Sequence, residues 1–122
     1  MPTRYQDDQT PVVQFDLRLE ISAFLVFRRL REGKIPMILV DVRAHPSAYT
    51  LEGAITLPEG WEPPEDEQVV LFDDDGSEAV PLAERFAEAG YTNVKALFGG
   101  LELWKFSLDP EVVGQETYLI KL

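Results

Sequence analysis

VVLFDDDGSEAVPLAERFAEAGYTNVKALFGGLELW, residues 69–104, sets the class of fold. Val69 to Phe72 is an unbroken apolar run without alternation, the mark of a short strand covered on both faces. A polar loop follows it, Asp73-Asp74-Asp75-Gly76-Ser77-Glu78. Ala79, Leu82, Ala83, Phe86 and Ala89 then recur at i, i+3, i+4, i+7 and i+10, which predicts an amphipathic helix. Pro81 falls in its first turn, where no amide is needed, and Gly90 stands where a C′ residue closes a helix. NVKAL (93–97) is a second apolar run, and LELWKF after Gly99-Gly100 predicts one more short helix. Strands alternating with helices argue for an α/β layer fold, a central parallel sheet joined by right-handed crossovers.

The same pattern extends upstream. MILVDV (37–42) and AITL (54–57) are further strand candidates of the doubly covered kind. Val13 to Ile21 alternates apolar and polar residues over nine positions, which predicts an added N-terminal strand with one buried face. Ser22 is a good N-cap for a helix carrying Phe24, Phe27 and Leu30 on one face. Arg28, Arg29 and Arg31 sit near its negative end, and Gly33 suits C′. LPEGWEPPEDE (57–67) is a Pro/Gly/acidic loop, and ETYLIKL (116–122) predicts a last strand with Tyr118, Ile120 and Leu122 on one face. That last strand is the candidate antiparallel partner of the N-terminal one; the alternative use of either edge is dimerisation, so monomer and homodimer both stay open. With no internal repeat and no long linker, residues 1–122 are expected to form a single domain.

The 122 residues carry 22 Asp+Glu against 11 Lys+Arg, a net charge of −11, yet 45% are hydrophobic, too many for a disordered acidic tail. A chain of this size can bury about two thirds of its surface, so a core forms without staples. Its negative charge disfavours nucleic acid and anionic membrane as partners. No apolar run approaches the roughly 18 to 20 residues of a membrane span, and MPTRYQDDQTP at the start has no apolar core of a signal, so a cytoplasmic location is expected. The charge is local. From Ala44 to Glu84 there are 11 acidic residues and no Lys or Arg, while acids and bases balance elsewhere. Cys is absent, which excludes disulfides, thiolate metal sites and a Cys nucleophile.

In an open α/β sheet, ligands bind beyond the carboxyl ends of the strands, where loops meet helix N-termini. The candidates are residues 43–47, 58–61, 73–78 and 98–100. The loop Asp73, Asp74, Asp75, Gly76, Ser77 and Glu78 is the most distinctive, because a strand, a tight loop and a helix form the architecture of an anion cradle. Here the cradle carries four carboxylates. Asp41 and Arg43, at the end of the 37–42 strand, are expected to form a salt bridge that shapes the neighbouring loops.

MILVDVRAHPSAY, AITLP and the 69–104 stretch, with Asp41-Val42-Arg43, Gly90-Tyr91, Asn93-Val94 and Leu97-Phe98-Gly99-Gly100 ahead of Trp104, resemble a rhodanese-like domain over about Ile21 to Phe106. The resemblance implies a rhodanese-like α/β fold and a sulfurtransferase loop of the form Cys-x-x-G-x-Arg, in which the Cys carries sulfur as a persulfide and the Arg holds an anionic donor. At those places this chain has Asp73, Gly76 and Glu78, with Ala79 where a small hydroxyl residue follows. The Gly-His-Ile-Pro-Gly-Ala approach to the second strand is shortened to Leu51-Glu52-Gly53-Ala54. Aspartate cannot form a persulfide, so neither sulfur transfer nor Cys-based phosphatase chemistry is expected, and no catalytic residue, metal or cofactor is assigned.

Two explanations fit an acidic loop at a helix N-terminus. Carboxylates there cap free amides and complement the helix dipole, with Asp73 filling the nest. Alternatively the acidic face docks a basic protein partner, or binds a divalent cation weakly through Asp73, Asp75 and Glu78. LFDDDGS also resembles the first motif of haloacid-dehalogenase-type hydrolases, which makes a Mg²⁺-dependent phosphohydrolase with Asp73 as nucleophile and Asp75 as acid the rival enzyme reading. That motif normally opens its fold, whereas three candidate strands precede it here. His45 is the sole histidine and supports no triad; Trp61 is expected in a lid or a partner contact, and Trp104 in the core. The expected function is a non-catalytic binding or regulatory module.

Overall fold

The computed structural model describes residues 16–108, 111 and 117–122. Five parallel strands form the central sheet: β1 (Glu20–Ile21), β2 (Met37–Asp41), β4 (Ile55–Thr56), β5 (Gln68–Phe72) and β6 (Val94–Leu97), in the spatial order β1-β6-β5-β2-β4. β3 (Tyr49–Leu51) and β7 (Leu119–Lys121) make a separate antiparallel pair. Helices α1 (Ala23–Glu32) and α3 (Gly100–Ser107) cover one face of the sheet, and α2 (Ala79–Glu88) covers the other.

The central strand explains why apolar runs here lack alternation. Val70 and Phe72 face the α1/α3 side while Val69 and Leu71 face α2, and all four are fully buried. Both faces must therefore be apolar, and two of these four residues are β-branched valines. On α2 the inward residues are Ala79 and Ala83, small enough to bring the helix close to the sheet, with Leu82 and Phe86 partly buried beside them. Phe86 and Tyr91 meet edge to face at 5.6 Å.

Helix α1 begins and ends as its sequence predicts. The Ser22 hydroxyl accepts from the Leu25 amide at 3.2 Å, and Gly33 takes the left-handed conformation with its N–H on the Arg29 carbonyl. Its buried stripe differs from the expected one. Ala23, Val26 and Phe27 face inward, whereas Phe24 is 58% exposed. A true helical face needs i+3 and i+4 steps, and Phe24, Phe27 and Leu30 use only the first.

Other expectations change more. Residues 13–15 of the predicted N-terminal strand lie outside the described residues; Leu17–Leu19 form a turn, and only Glu20–Ile21 pair. The pairing is parallel, with β6, and not with the C-terminal strand, which is antiparallel to β3 instead. Asp16 decides this locally: its carbonyl accepts from the Leu19 and Glu20 amides and its carboxylate from the Arg18 amide, which closes a turn over the alternating pattern. In β7 the residue next to the core is Leu119, because Tyr118 has φ 66° and so breaks the alternation. Ile120 and Leu122 are exposed, and Tyr118 packs edge-on against Phe27. β4 is an exposed edge, not a doubly covered strand. Trp104 is fully buried in the core, its indole N–H donating to the Thr117 carbonyl at 3.0 Å. No described helix is long and apolar enough to cross a membrane.

The start of α3 packs directly on the loop after β5. The amides of Leu101 and Glu102 donate to the carbonyls of Asp73 and Asp74, both at 2.9 Å. This approach is open only to glycine. A Cβ on Gly100, whose φ is +65°, would lie 2.5 Å from the Asp74 carbonyl and 2.6 Å from the Asp75 nitrogen. Gly100→Ala therefore combines left-handed strain with a backbone collision and is expected to cost at least about 2 kcal/mol in urea unfolding. Unchanged stability would show that the loop and helix separate freely.

Candidate functional site

The loop at the carboxyl end of β5 is organised around a buried anion that the chain itself supplies. Asp73 is 1% exposed, at the end of the central strand. Its Oδ1 accepts from the Gly76 amide at 2.6 Å and its Oδ2 from the Glu78 amide at 2.7 Å. Those are short, charge-assisted bonds, and the first turn of α2 is capped by a carboxylate five residues before Glu78 in the chain. Glu78 itself makes no side-chain cap. Gly76 has φ 95°, which turns the loop back so that its amides converge on Asp73.

Asp41 and Arg43 flank this loop from the end of β2. Both are buried, and the guanidinium bridges to the Asp41 carboxylate at 2.7 Å and 2.9 Å. Arg43 also donates to Asp74 at 3.0 Å, to the Ser47 carbonyl at 3.1 Å and to the Tyr49 carbonyl. All five of its N–H groups are thereby used, leaving none for a substrate anion. Asp41 further accepts from the Arg43 amide and the Thr50 hydroxyl. Burial pushes the Asp41 carboxyl up, but the bonds from Arg43 and Thr50 together outweigh it and hold the group below its ordinary 3.8. The bond from Asp41 leads in raising Arg43, against the opposing effect of burial.

The rim is acidic and exposed. Asp74, Asp75 and Glu78 all reach solvent. The Ser77 amide donates to Asp75 at 2.9 Å and holds that carboxyl below the usual range, so its charge persists at neutral pH. Asp73, Asp75 and Glu78 do not converge: among the described residues no group of three or more carboxylates and histidines is placed to hold a metal ion. A nucleophilic Asp73 would need an oxygen open to substrate, and both are turned inward onto amides. His45 is exposed on the loop after β2, and Trp61 packs partly buried beside the α2 face of the core.

The sequence pattern of the rhodanese-like domain matches residues 26–107. The chain belongs to the rhodanese-like domain family. Solved structures agree in fold with this rhodanese-like domain. A full-length protein from Lactobacillus plantarum superposes with TM-score 0.65 at 21% identity, over 87% of this chain and 90% of that one. A rhodanese-related protein from Thermoplasma volcanium gives 0.57 at 18%, over 73% and 92%. Thiosulfate sulfurtransferase from Pseudomonas aeruginosa gives 0.58 at 24%, over 73% of this chain and 19% of that larger one. At these identities the likeness is one of fold. Comparison with curated proteins gives no match.

Several supporting groups escape sequence reasoning. Thr50, the carbonyls of Ser47 and Tyr49, and the α3 amides reach the site only through the tertiary fold, since backbone donors and acceptors leave no trace in residue identity. Asn93 likewise pins the acidic 57–67 loop, donating to the Pro64 and Glu67 carbonyls at 2.6 and 2.7 Å.

Two predictions follow from this geometry. Asp73→Ala orphans two amides at about 1–3 kcal/mol each, so urea unfolding should show a loss of about 2–6 kcal/mol, with Asp73→Asn intermediate because it keeps one acceptor oxygen. Equal stability of all three would refute the clasp. For Asp41, a carboxyl depressed in the folded state contributes its full stability above 3.8 and loses it as pH falls through the lower native value. Asp41→Asn should cost about 3 kcal/mol at pH 7, because it leaves Arg43 buried without its main counter-charge. The variant should also flatten the acid limb of a stability profile; parallel limbs would place the acid sensitivity elsewhere.

Proposed function

We propose that this rhodanese-like domain is a non-catalytic protein-binding module whose acidic loop docks a basic partner. The observation that carries the reading is Asp73. The position that holds the sulfur-carrying Cys in the resembling sulfurtransferase loop holds a carboxylate, and the converging amides that would cradle a persulfide are already occupied by it. The cationic group nearest the loop, Arg43, is spent on Asp41, Asp74 and two carbonyls, and Glu78 stands where the sulfurtransferase pattern has a second arginine. An anionic sulfur donor would meet the same sign of charge at short range.

What the loop offers instead is a rigid display of negative charge. Asp74, Asp75 and Glu78 project from a backbone held on one side by the Asp73 clasp and on the other by α3. Rigid, exposed charge of one sign steers a complementary partner and orients it at little ordering cost. A partner segment bearing Lys or Arg fits that chemistry. The charge excess between Ala44 and Glu84 supplies the longer-range field.

Asp75→Asn with Glu78→Gln leaves the Arg43 network and the Asp73 clasp intact and so tests the rim alone. The wild-type domain, immobilised and exposed to host lysate, is expected to retain a basic protein whose capture falls with added salt, and the double variant should lose it. Identical capture by both forms would overturn docking through this loop. Thiocyanate formed from thiosulfate and cyanide by the purified chain would overturn the non-catalytic assignment.

A further inference from the structure

The acidic rim is tied through Arg43 to a strained turn. Arg43 holds Asp74 at 3.0 Å, and its guanidinium is held in turn by two backbone acceptors, the carbonyls of Ser47 and Tyr49. Between those two residues stands Ala48, with φ 68°. The Tyr49 amide donates to the Ser47 carbonyl at 2.8 Å, so the chain closes a three-residue turn about Ala48 and presents both carbonyls to Arg43.

A left-handed alanine is strained, and such a conformation persists only where its surroundings impose it. Here β7 does so: the Ala48 carbonyl accepts from the Leu122 amide at 2.9 Å. At the other end of the same ribbon the Tyr118 carbonyl accepts from the Glu52 amide at 2.7 Å, and Tyr118 has φ 66°. Among the described residues these are the two of positive φ that are not glycine, and both close the β3–β7 pair. The ribbon has only three residue pairs, a length that is marginal by itself. It is also anchored unevenly. Thr117 is buried with its carbonyl on the Trp104 indole and Tyr118 lies on Phe27, whereas Ile120, Lys121 and Leu122 are exposed.

We infer that β7 is a strap that controls the acidic rim. Docked on β3, it imposes the turn at Ala48 and so keeps Arg43 on Asp74. Peeled back from Leu122 to Ile120, it lets Ala48 relax; the two carbonyls then leave the guanidinium and Asp74 loses its tether, while the Asp73 clasp, made by Gly76 and Glu78, stays closed. As a control on docking the strap rests on the function proposed for the rim. The coupling itself is measured with no partner present.

Native-state hydrogen exchange of the full-length protein, followed by NMR, tests the inference. In the wild type the amides of Thr50 and Ile120, which face each other in the ribbon, and the side-chain N–H groups of Arg43 are expected to exchange through one shared opening. That opening should precede global unfolding, with the Gly76 amide and the Trp104 indole protected for longer. Leu122→Pro removes the amide that reaches Ala48, at a position whose side chain is 60% exposed. Loss of that bond should speed exchange at Thr50, Ile120 and Arg43 by about three- to tenfold and shift the Asp74 carboxyl carbon signal, with Gly76 unchanged. Leu122→Ala, which keeps the amide, should match the wild type. Faster exchange at Thr50 and Ile120 with Arg43 unmoved, Gly76 quickening in step with Arg43, or no response at any of these groups would each overturn the proposal.

Discussion

The clasp of Asp73 by the amides of Gly76 and Glu78 is the interaction on which the loops at the carboxyl end of the sheet depend. A tight turn between a buried strand and a helix leaves several N–H groups pointing at one place. In a protein interior those donors must be answered, because each costs about 1–3 kcal/mol if left unpaired. A bound anion can answer them, and so can the chain. Here the chain does, from the residue at the end of the central strand. The first turn of α2, the position of the loop and the outward direction of Asp74, Asp75 and Glu78 all follow.

Once Asp73 is turned inward, its carbonyl and that of Asp74 are free to accept from the start of α3. The loop is thereby held between two helix N-termini. Gly100 makes the second contact sterically possible, and Trp104, one helical turn later, anchors the same helix in the core and to the Thr117 carbonyl. Arg43 closes the third side by joining Asp41, Asp74 and the chain between β2 and β3. Buried ion pairs of this kind contribute little net stability against an apolar substitute, yet removing one partner is costly, so their effect is to hold one loop arrangement in place.

The elements legible in the residue order are those whose signal is local. α2, with its apolar repeat, its early Pro81 and its late Gly90, needs no other part of the chain to be recognised, and β5 and β6 announce themselves as apolar runs. The expected strand over residues 13–21 shows the limit. Its alternation is real, but from Asp16 onward the chain spends four residues on a turn before two join the sheet, and the partner is β6. Strand partners are chosen by what the rest of the fold leaves open, and periodicity carries no address. For the same reason β7 lies on β3, a strand too short and too polar to be noticed in Tyr49-Thr50-Leu51.

By itself the sequence determined the α/β layering, the absence of any thiol chemistry and the confinement of the charge excess to residues 44–84, because composition and short-range period are properties of the chain alone. It also showed that Asp73 replaces the sulfur-bearing residue of the resembling loop. Only the tertiary structure decided what that replacement does. Whether a carboxylate faces solvent, a metal or two backbone amides depends on the path of the turn around it and on the helix packed behind, and Asp73 faces the amides.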